Sequence, residues 1–274
     1  MRSAPSMLAS VRSGALAVES LVLPRACLAC ERPMPESEPG ACCALCLHRM
    51  RAIAPPACGR CGQPVDPWML RIGGAGSHGS AGNGGREGRG TAKEDTRCAF
   101  CSEWPAELAW AVSAVWLDDG PARRLVHALK YQGWRVAAAP MAARIRAAAG
   151  QRLAALDALV PVPLGAARLR ERGHNQAALL AHALGAALGL PVLEGALRRT
   201  RETRSQTRLA PVERRRNVAG AFAPGGPRPR GLNVALVDDV LTTGATLGAA
   251  ATALAPLGPA TIGALTFARA AVPA

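Results

Sequence analysis

Three observations predict an α/β fold, a mostly parallel sheet with helices on both faces, preceded by a small cysteine-rich module. From residue 109 onward, short apolar runs with strand character alternate with Ala/Leu-rich stretches of helical length, the pattern of a parallel sheet covered on both sides. One of those runs ends in an acid pair followed by a Thr/Gly loop and a helical stretch, as befits a ligand site at the C-terminal ends of such strands. All nine cysteines lie before residue 102, in a segment with little else that could build a core. At 274 residues the chain is long enough for one full core plus a smaller module.

Residues 1–23 are rich in Ala, Leu and Val but interrupted by Arg12 and Glu19. They read as an amphipathic N-terminal helix covering the next module. No run approaches membrane-spanning length and no secretory signal is evident, so a soluble, cytoplasmic protein without a membrane span is expected. Residues 24–105 carry four C-x-x-C pairs, Cys27/Cys30, Cys43/Cys46, Cys58/Cys61 and Cys98/Cys101. A C-x-x-C knuckle holds two thiolates at the spacing a tetrahedral zinc needs, and two knuckles close one site. Four knuckles therefore predict two structural Zn2+ sites, each filled by thiolates with no position open to substrate. Disulfides compete, but a cytosolic chain keeps them reduced. A thioredoxin-like redox pair would need a surrounding βαβ pattern that is missing. Which knuckles pair is left open, as is Cys42, either a spare thiol or an alternative ligand. Pro55-Pro56 marks the break between the first two knuckles and the last two. Residues 72–90 are dominated by Gly and Ser and read as a flexible insertion containing a solvated His78. Trp68 and Trp104 are expected to pack against the zinc module.

The larger unit is expected over 106–274. Residues 109–116 read as a strand, with Asp118-Asp119-Gly120 as its turn. Pro121 opens a helix through Tyr131, since Pro is welcome in the first helical turn. Gln132-Gly133 ends it and 136–149 form a second helix. Strands are expected at 156–162, 191–197, 217–222, 232–237 and 260–268, with helices at 177–188 and 247–257.

The central motif is Val234-Ala235-Leu236-Val237-Asp238-Asp239-Val240-Leu241-Thr242-Thr243-Gly244-Ala245-Thr246. A strand feeding a loop that opens a helix is an anion site, because outward N–H groups and the helix dipole favour negative charge. Thr242, Thr243 and Thr246 add hydroxyls, and Gly244 lets backbone approach a phosphate. Asp238 and Asp239 offer hydrogen-bond acceptors for vicinal ribose hydroxyls. Capping explains one Thr and one Asp, not two acids and three threonines at this spacing. A sugar bearing a phosphate is the expected ligand. Neither a P-loop nor a dinucleotide fingerprint is present.

This order of parts resembles the phosphoribosyl-pyrophosphate (PRPP) motif of type I phosphoribosyltransferases. Two further stretches extend the likeness: Val160-Pro161-Val162-Pro163-Leu164 leading to Arg168, Arg170 and Arg172-Gly173-His174-Asn175-Gln176-Ala177, and 199–209 leading to Glu213-Arg214-Arg215-Arg216-Asn217-Val218-Ala219-Gly220-Ala221-Phe222. With the knuckles, the chain resembles the ComF family, the phosphoribosyltransferase-like competence proteins, from about Cys27 to its end except for the Gly-rich insertion. His174 departs from it, standing where an aromatic such as Phe is expected. The resemblance implies a type I phosphoribosyltransferase-like fold with an N-terminal double zinc ribbon. It also implies a role in handling single-stranded DNA, with DNA-uptake proteins as partners. Its Lys-Tyr pair corresponds to Lys130 and Tyr131, where a snorkelling lysine is an equally good reading.

Charge adds less than it first suggests. The net charge of +14 invites a nucleic-acid reading, yet lysine occurs only at Lys93 and Lys130, and an Arg-, Ala- and Gly-rich chain follows from a GC-rich genome whatever its function. Arg168, Arg170 and Arg172 fit a pyrophosphate clamp or a solvated helix start equally well. The 198–216 stretch, with Arg214, Arg215 and Arg216, suits a loop closing over phosphate or tracking DNA, with a solvated charge run as rival. Gln206 and Asn217 read as framework hydrogen-bonders and His127 as a surface residue. Two functions follow: a PRPP-binding protein of DNA uptake, or an active phosphoribosyltransferase that passes ribose 5-phosphate to a nitrogen acceptor with Mg2+ on the pyrophosphate. Aromatics at 3% leave little with which to stack a nucleobase. No residue is assigned a catalytic role.

Overall fold

The structure, a computed structural model, describes residues 25–35, 37–38, 40–65, 98–202 and 217–271. The expected N-terminal helix, the Gly-rich insertion, Trp68, His78, Gln206, Arg214, Arg215 and Arg216 lie outside those residues. In chain order the elements are α1 (Ala44–Arg49), β1 (Leu108–Trp116), α2 (Pro121–Tyr131), α3 (Ala138–Ala149), β2 (Ala158–Pro161) and α4 (Ala166–Arg172). There follow α5 (Gln176–Leu188), β3 (Leu197–Arg199), β4 (Phe222–Pro224), β5 (Asn233–Leu241), α6 (Ala245–Leu254) and β6 (Thr261–Arg269). Among the described residues no helix is long and apolar enough to cross a membrane.

Strands β1, β6, β5 and β2 lie side by side in that order, every pair parallel. A parallel sheet must be covered on both faces, so its central strand is apolar on both. On β5, Ala235 and Val237 join a core built with Leu125 of α2, Ile145 of α3 and Leu180 of α5. Val234 and Leu236 point the other way, into a core with Leu247, Ala250 and Leu254 of α6. The antiparallel pair β3–β4 packs beside α6.

Local signals account for the helix ends. Pro121 occupies the first turn of α2. Asn175 caps α5 by accepting the Ala177 N–H, and Gly189 closes it at φ +68. Both outer edges of the sheet are covered, which removes unpaired strand groups from solvent. Ala52 bridges Val115, Arg51 O accepts from Trp116 N at 2.8 Å and Arg60 O accepts from Ala111 N at 2.7 Å. The cysteine-rich chain thus runs along β1. On the far side Val192 bridges Leu159 of β2.

Several expected boundaries move. The 156–162 strand shortens to Ala158–Pro161, and the 191–197 strand becomes an isolated bridge at Val192 followed by β3. The strand expected at 217–222 is instead a helical turn at Asn217 and Val218, with β4 beginning at Phe222. There the Arg201 guanidinium donates to the carbonyls of Asn217 and Ala219 at 3.1 and 2.9 Å, and Gly220 turns the chain at φ +66. Most consequentially, β5 does not stop before the acids. Asp238 pairs with Thr266, Val240 with Ala268 and Leu241 with Arg269, because β6 supplies ladder partners to that point.

Candidate functional site

The cysteines form two clusters. The sulfurs of Cys27, Cys30, Cys43 and Cys46 lie within 4.8 Å of one another, as do those of Cys58, Cys61, Cys98 and Cys101. Consecutive knuckles therefore pair, and all nine thiols are free of disulfides. Backbone N–H groups of Ala29 and Cys43 point at Cys27 Sγ at 3.4 and 3.3 Å, and that of Gln63 at Cys61 Sγ at 3.4 Å. A hydrogen bond from Cys61, together with backbone N–H groups, lowers the Cys58 pKa to about 4. At Cys27, burial opposes the shift but the N–H groups of Cys43 and Ala29 outweigh it, bringing the pKa to about 6. Thiolates of this kind are what a metal binds, and a closed all-sulfur set suits tetrahedral Zn2+. Cys42 falls outside both sets. Its sulfur is buried 3.9 Å from Cys27 Sγ, and burial with the Cys27 charge pushes it up to about 12. It is a protonated core thiol beside the first cluster.

The acid pair lies inside β5 near its C-terminal end. Asp239 is buried and ion-paired with Lys130, whose side chain reaches it from the last turn of α2. Lysine burial would lower its pKa, but the Asp239 charge reverses the sign and raises it. Asp238 is half-buried and accepts the Asp239 N–H at 2.8 Å. Burial, then the neighbouring Asp239 charge, push Asp238 up to about 8 against the opposing pull of Lys130. Lys130 does not snorkel to solvent: its ammonium is paired with Asp239.

Beyond Leu241 the chain bends through Thr242 and Thr243 into α6, which begins at Ala245, two residues earlier than expected. Gly244 is the N-cap at φ +81, a left-handed conformation that only glycine adopts without strain. Thr243 Oγ1 accepts from Ala245 N at 3.4 Å. A Cβ on Gly244 would fall 2.4 Å from the Trp104 ring, and Trp104 Nε1 donates to Thr243 O at 3.0 Å. Gly248, one turn further, would meet Pro105 at 3.0 Å if it carried a Cβ. The loop thus presents one side to the sheet end and the other to Trp104-Pro105. Trp104 also meets the expected cysteine module, edge-on to Phe100 at 5.7 Å and beneath Arg60 at 6.0 Å. Its hold on the loop was not foreseen, because a partner 139 positions away leaves no local trace.

Arg199, at the start of the 199–209 stretch, lies within electrostatic reach of Arg168, Glu202 and Asp238 and has its pKa lowered chiefly by burial. Among the three arginines of α4, Arg168 is the one within electrostatic reach of Arg199. Arg170 is exposed. Arg172 lies over the Tyr131 ring at 4.8 Å and donates to Gln176 Oε1 at 3.2 Å. Glu202 accepts the Ala167 N–H at 2.8 Å. His174 is buried and donates from Nε2 to Leu129 O at 2.6 Å. It satisfies a C-terminal carbonyl of α2 that an aromatic hydrocarbon ring could not. His127 is exposed beside Tyr131, as expected.

Comparison with known proteins matches residues 18–76 to the double zinc ribbon domain and residues 137–273 to the phosphoribosyl transferase domain. The chain is 29% identical over 261 residues to DNA utilization protein YhgH of Salmonella typhimurium, covering 88% of this chain and 96% of that protein. It is 39% identical over 104 residues to competence protein F of Haemophilus influenzae, covering 37% of this chain and 45% of that protein. Competence protein ComFC of Bacillus subtilis matches at 36% over 102 residues, 37% of this chain and 40% of its own length. The chain therefore spans less than half of the two competence proteins in these matches. Orotate phosphoribosyltransferase from Aeropyrum pernix aligns at 24% identity over 56% of this chain and 66% of its own, with a TM-score of 0.33. With a parallel sheet, an acid pair leading into a Thr/Gly loop and two four-cysteine clusters in place, the chain belongs to the ComF family, which joins a double zinc ribbon to a phosphoribosyltransferase domain.

Proposed function

We propose that this protein binds PRPP or a related ribose phosphate at residues 238–246 and takes part in DNA uptake or processing during natural competence. The observation that carries the ligand half is the acid pair at the end of β5, leading directly into a Thr-Thr-Gly-Ala-Thr loop at the start of α6. Asp238 and Asp239 face the ribose hydroxyls, while Thr242, Thr243, Gly244, Ala245 and Thr246 surround the 5-phosphate. The positive end of α6 favours that charge. On this reading Arg168 and Arg199, within electrostatic reach of each other, meet pyrophosphate through planar guanidinium forks. Mg2+ arrives with the pyrophosphate and offsets its charge. The two cysteine clusters hold structural Zn2+. The DNA half rests on the names of the relatives, on the exposed Arg170 and on the basic sequence run Arg214-Arg215-Arg216.

Catalysis at this site would break the bond from the anomeric carbon to pyrophosphate and form one to a nitrogen nucleophile. Such a step asks for positioning and electrostatics rather than a protein nucleophile. The matched phosphoribosyl transferase domain favours this second reading. Calorimetric titration of PRPP with Mg2+ into the wild type and the Asp238→Asn/Asp239→Asn variant separates the outcomes. Binding that the variant loses by at least about tenfold supports the site, since charge-assisted hydrogen bonds are each worth roughly 1.5–3 kcal/mol. Absence of binding by folded, zinc-loaded wild type overturns it and leaves the loop as scaffold.

A further inference from the structure

Trp104 belongs by sequence to the cysteine-rich segment, three residues beyond the last cysteine, yet its contacts run to the loop before α6. Its ring occupies the space that a Cβ at position 244 would need, 2.4 Å away, and its indole N–H is spent on Thr243 O at 3.0 Å. That carbonyl belongs to the peptide joining Thr243 to Gly244, so its direction fixes where the Gly244 N–H points. A hydrogen bond to it and a ring against Gly244 together hold the left-handed turn from which the helix starts.

What holds Trp104 is the second cysteine cluster. Trp104 N donates to Cys101 O at 3.1 Å. Arg60, between Cys58 and Cys61 and only 8% exposed, donates to Cys101 O at 2.9 Å, Pro105 O at 2.7 Å and Leu108 O at 3.0 Å. The whole 101–108 segment is therefore bolted to the knuckle by one guanidinium. Arg269 adds a second brace. It ends β6 beside Leu241, is fully buried, lies over Phe100 at 4.5 Å and donates to Cys61 O at 2.6 Å. Its Nε and Nη2 have no hydrogen-bond partner. A buried guanidinium needs an opposite charge, and four thiolates around a divalent ion carry a net charge of −2. The second cluster, next to Arg269, is that counter-charge.

We propose that Trp104 is a positioning residue for the phosphate loop, and that the second cysteine cluster, through Arg60 and Arg269, sets where Trp104 stands. The zinc module then contributes to ligand binding directly: it completes the loop on the side the sheet does not reach. This inference rests on residues 242–246 being the phosphate site, so its test carries a readout that does not need a ligand.

Two variants are compared with the wild type, each as full-length protein with zinc per chain and thermal stability measured alongside. Trp104→Phe keeps a ring against Gly244 but has no N–H. Trp104→Ala removes both. Amide hydrogen exchange of the peptide spanning 240–248 reports loop order, and titration of ribose 5-phosphate reports binding. The expected result for Trp104→Phe is faster exchange in that peptide and roughly three- to tenfold weaker binding, the worth of one neutral hydrogen bond. Zinc content and exchange in β2 and α5 stay as in the wild type. Trp104→Ala shows a larger change in the same two readouts. Unchanged loop exchange in a folded, zinc-loaded Trp104→Phe and in Trp104→Ala overturns the proposal. A wild type that binds no ribose phosphate while the loop exchange still responds to Trp104 overturns the ligand reading instead, leaving the positioning role intact.

Discussion

The two cysteine clusters have the same four ligands and the same spacing within each knuckle, yet they are attached to the rest of the molecule in different ways. Besides the contact of Arg51 and Ala52 with β1, the first is held by helices: Arg124 of α2 donates to Ala29 O at 2.8 Å, and Arg144 of α3 donates to Leu47 O. The same α2 carries Lys130 to Asp239. The second reaches the sheet through its strands and the loop, by Arg60, Arg269 and Trp104. Each cluster thus stands behind one half of the candidate site, the first behind the acids and the second behind the phosphate loop. The attachment differs in strength. Helix α2 has a buried face of its own in Leu125, Val126 and Leu129, so it stays in place without the ribbon. The loop before α6 has no such independent packing on its outer side. On the proposal above, two identical four-cysteine sets serve general stability at one site and local order at the other.

The comparison breaks most sharply if each cluster is removed in turn. Cys98→Ser/Cys101→Ser should lower zinc from about two to about one per chain and reduce ribose phosphate affinity by at least tenfold, on the order of 1.4 kcal/mol. Cys27→Ser/Cys30→Ser should lose the same amount of zinc but keep affinity within about twofold, well under 1 kcal/mol. Metal analysis paired with calorimetry decides it, and equal losses of affinity would erase the distinction drawn above. Lys130→Ala tests the first cluster's side through stability rather than affinity. It leaves Asp239 buried and unpaired next to Asp238, and breaking a buried pair from one side costs about 3–5 kcal/mol. Urea unfolding should show that loss, and Lys130→Ala/Asp239→Asn should recover much of it. Recovery without restored ligand binding would place the first cluster's influence, through α2, on the acids alone.

A third test concerns pH. The folded state raises Asp238 from an ordinary value of 3.8 to about 8, so between those limits the folded protein holds a proton that the unfolded chain releases. Stability from this group is complete below the lower limit and is lost as pH rises through the upper one. Unfolding free energies measured from pH 5 to 8 should show the wild type losing ground to Asp238→Asn as pH increases. A constant difference between the two would mean that Asp238 ionises normally and that the acid pair is better solvated than its place in β5 implies.

How much of this could be read in advance divides along physical lines. The two four-cysteine sets, the parallel sheet, the entry of α2 at Pro121 and the left-handed turn of the Thr/Gly loop follow from local pattern: knuckle spacing, alternation of strand and helix, a proline in a first turn, a glycine where the backbone turns. Each depends on residues within a few positions of one another, so the sequence alone carries them. The pairing of knuckles, the continuation of β5 through Asp238 and Asp239, the helical turn at Asn217, the tie from Lys130 to Asp239 and the reach of Trp104 to Thr243 depend on partners brought close only by folding. A strand ends where its neighbour stops offering hydrogen bonds, and a charge pairs with whichever opposite charge the packing leaves beside it. By itself the sequence determined which residue types stand together in each motif: four-cysteine sets, an acid pair and a Thr/Gly loop. Only the tertiary structure decided which metal cluster stands behind which half of the site, because that choice is made by contacts between residues far apart in the chain.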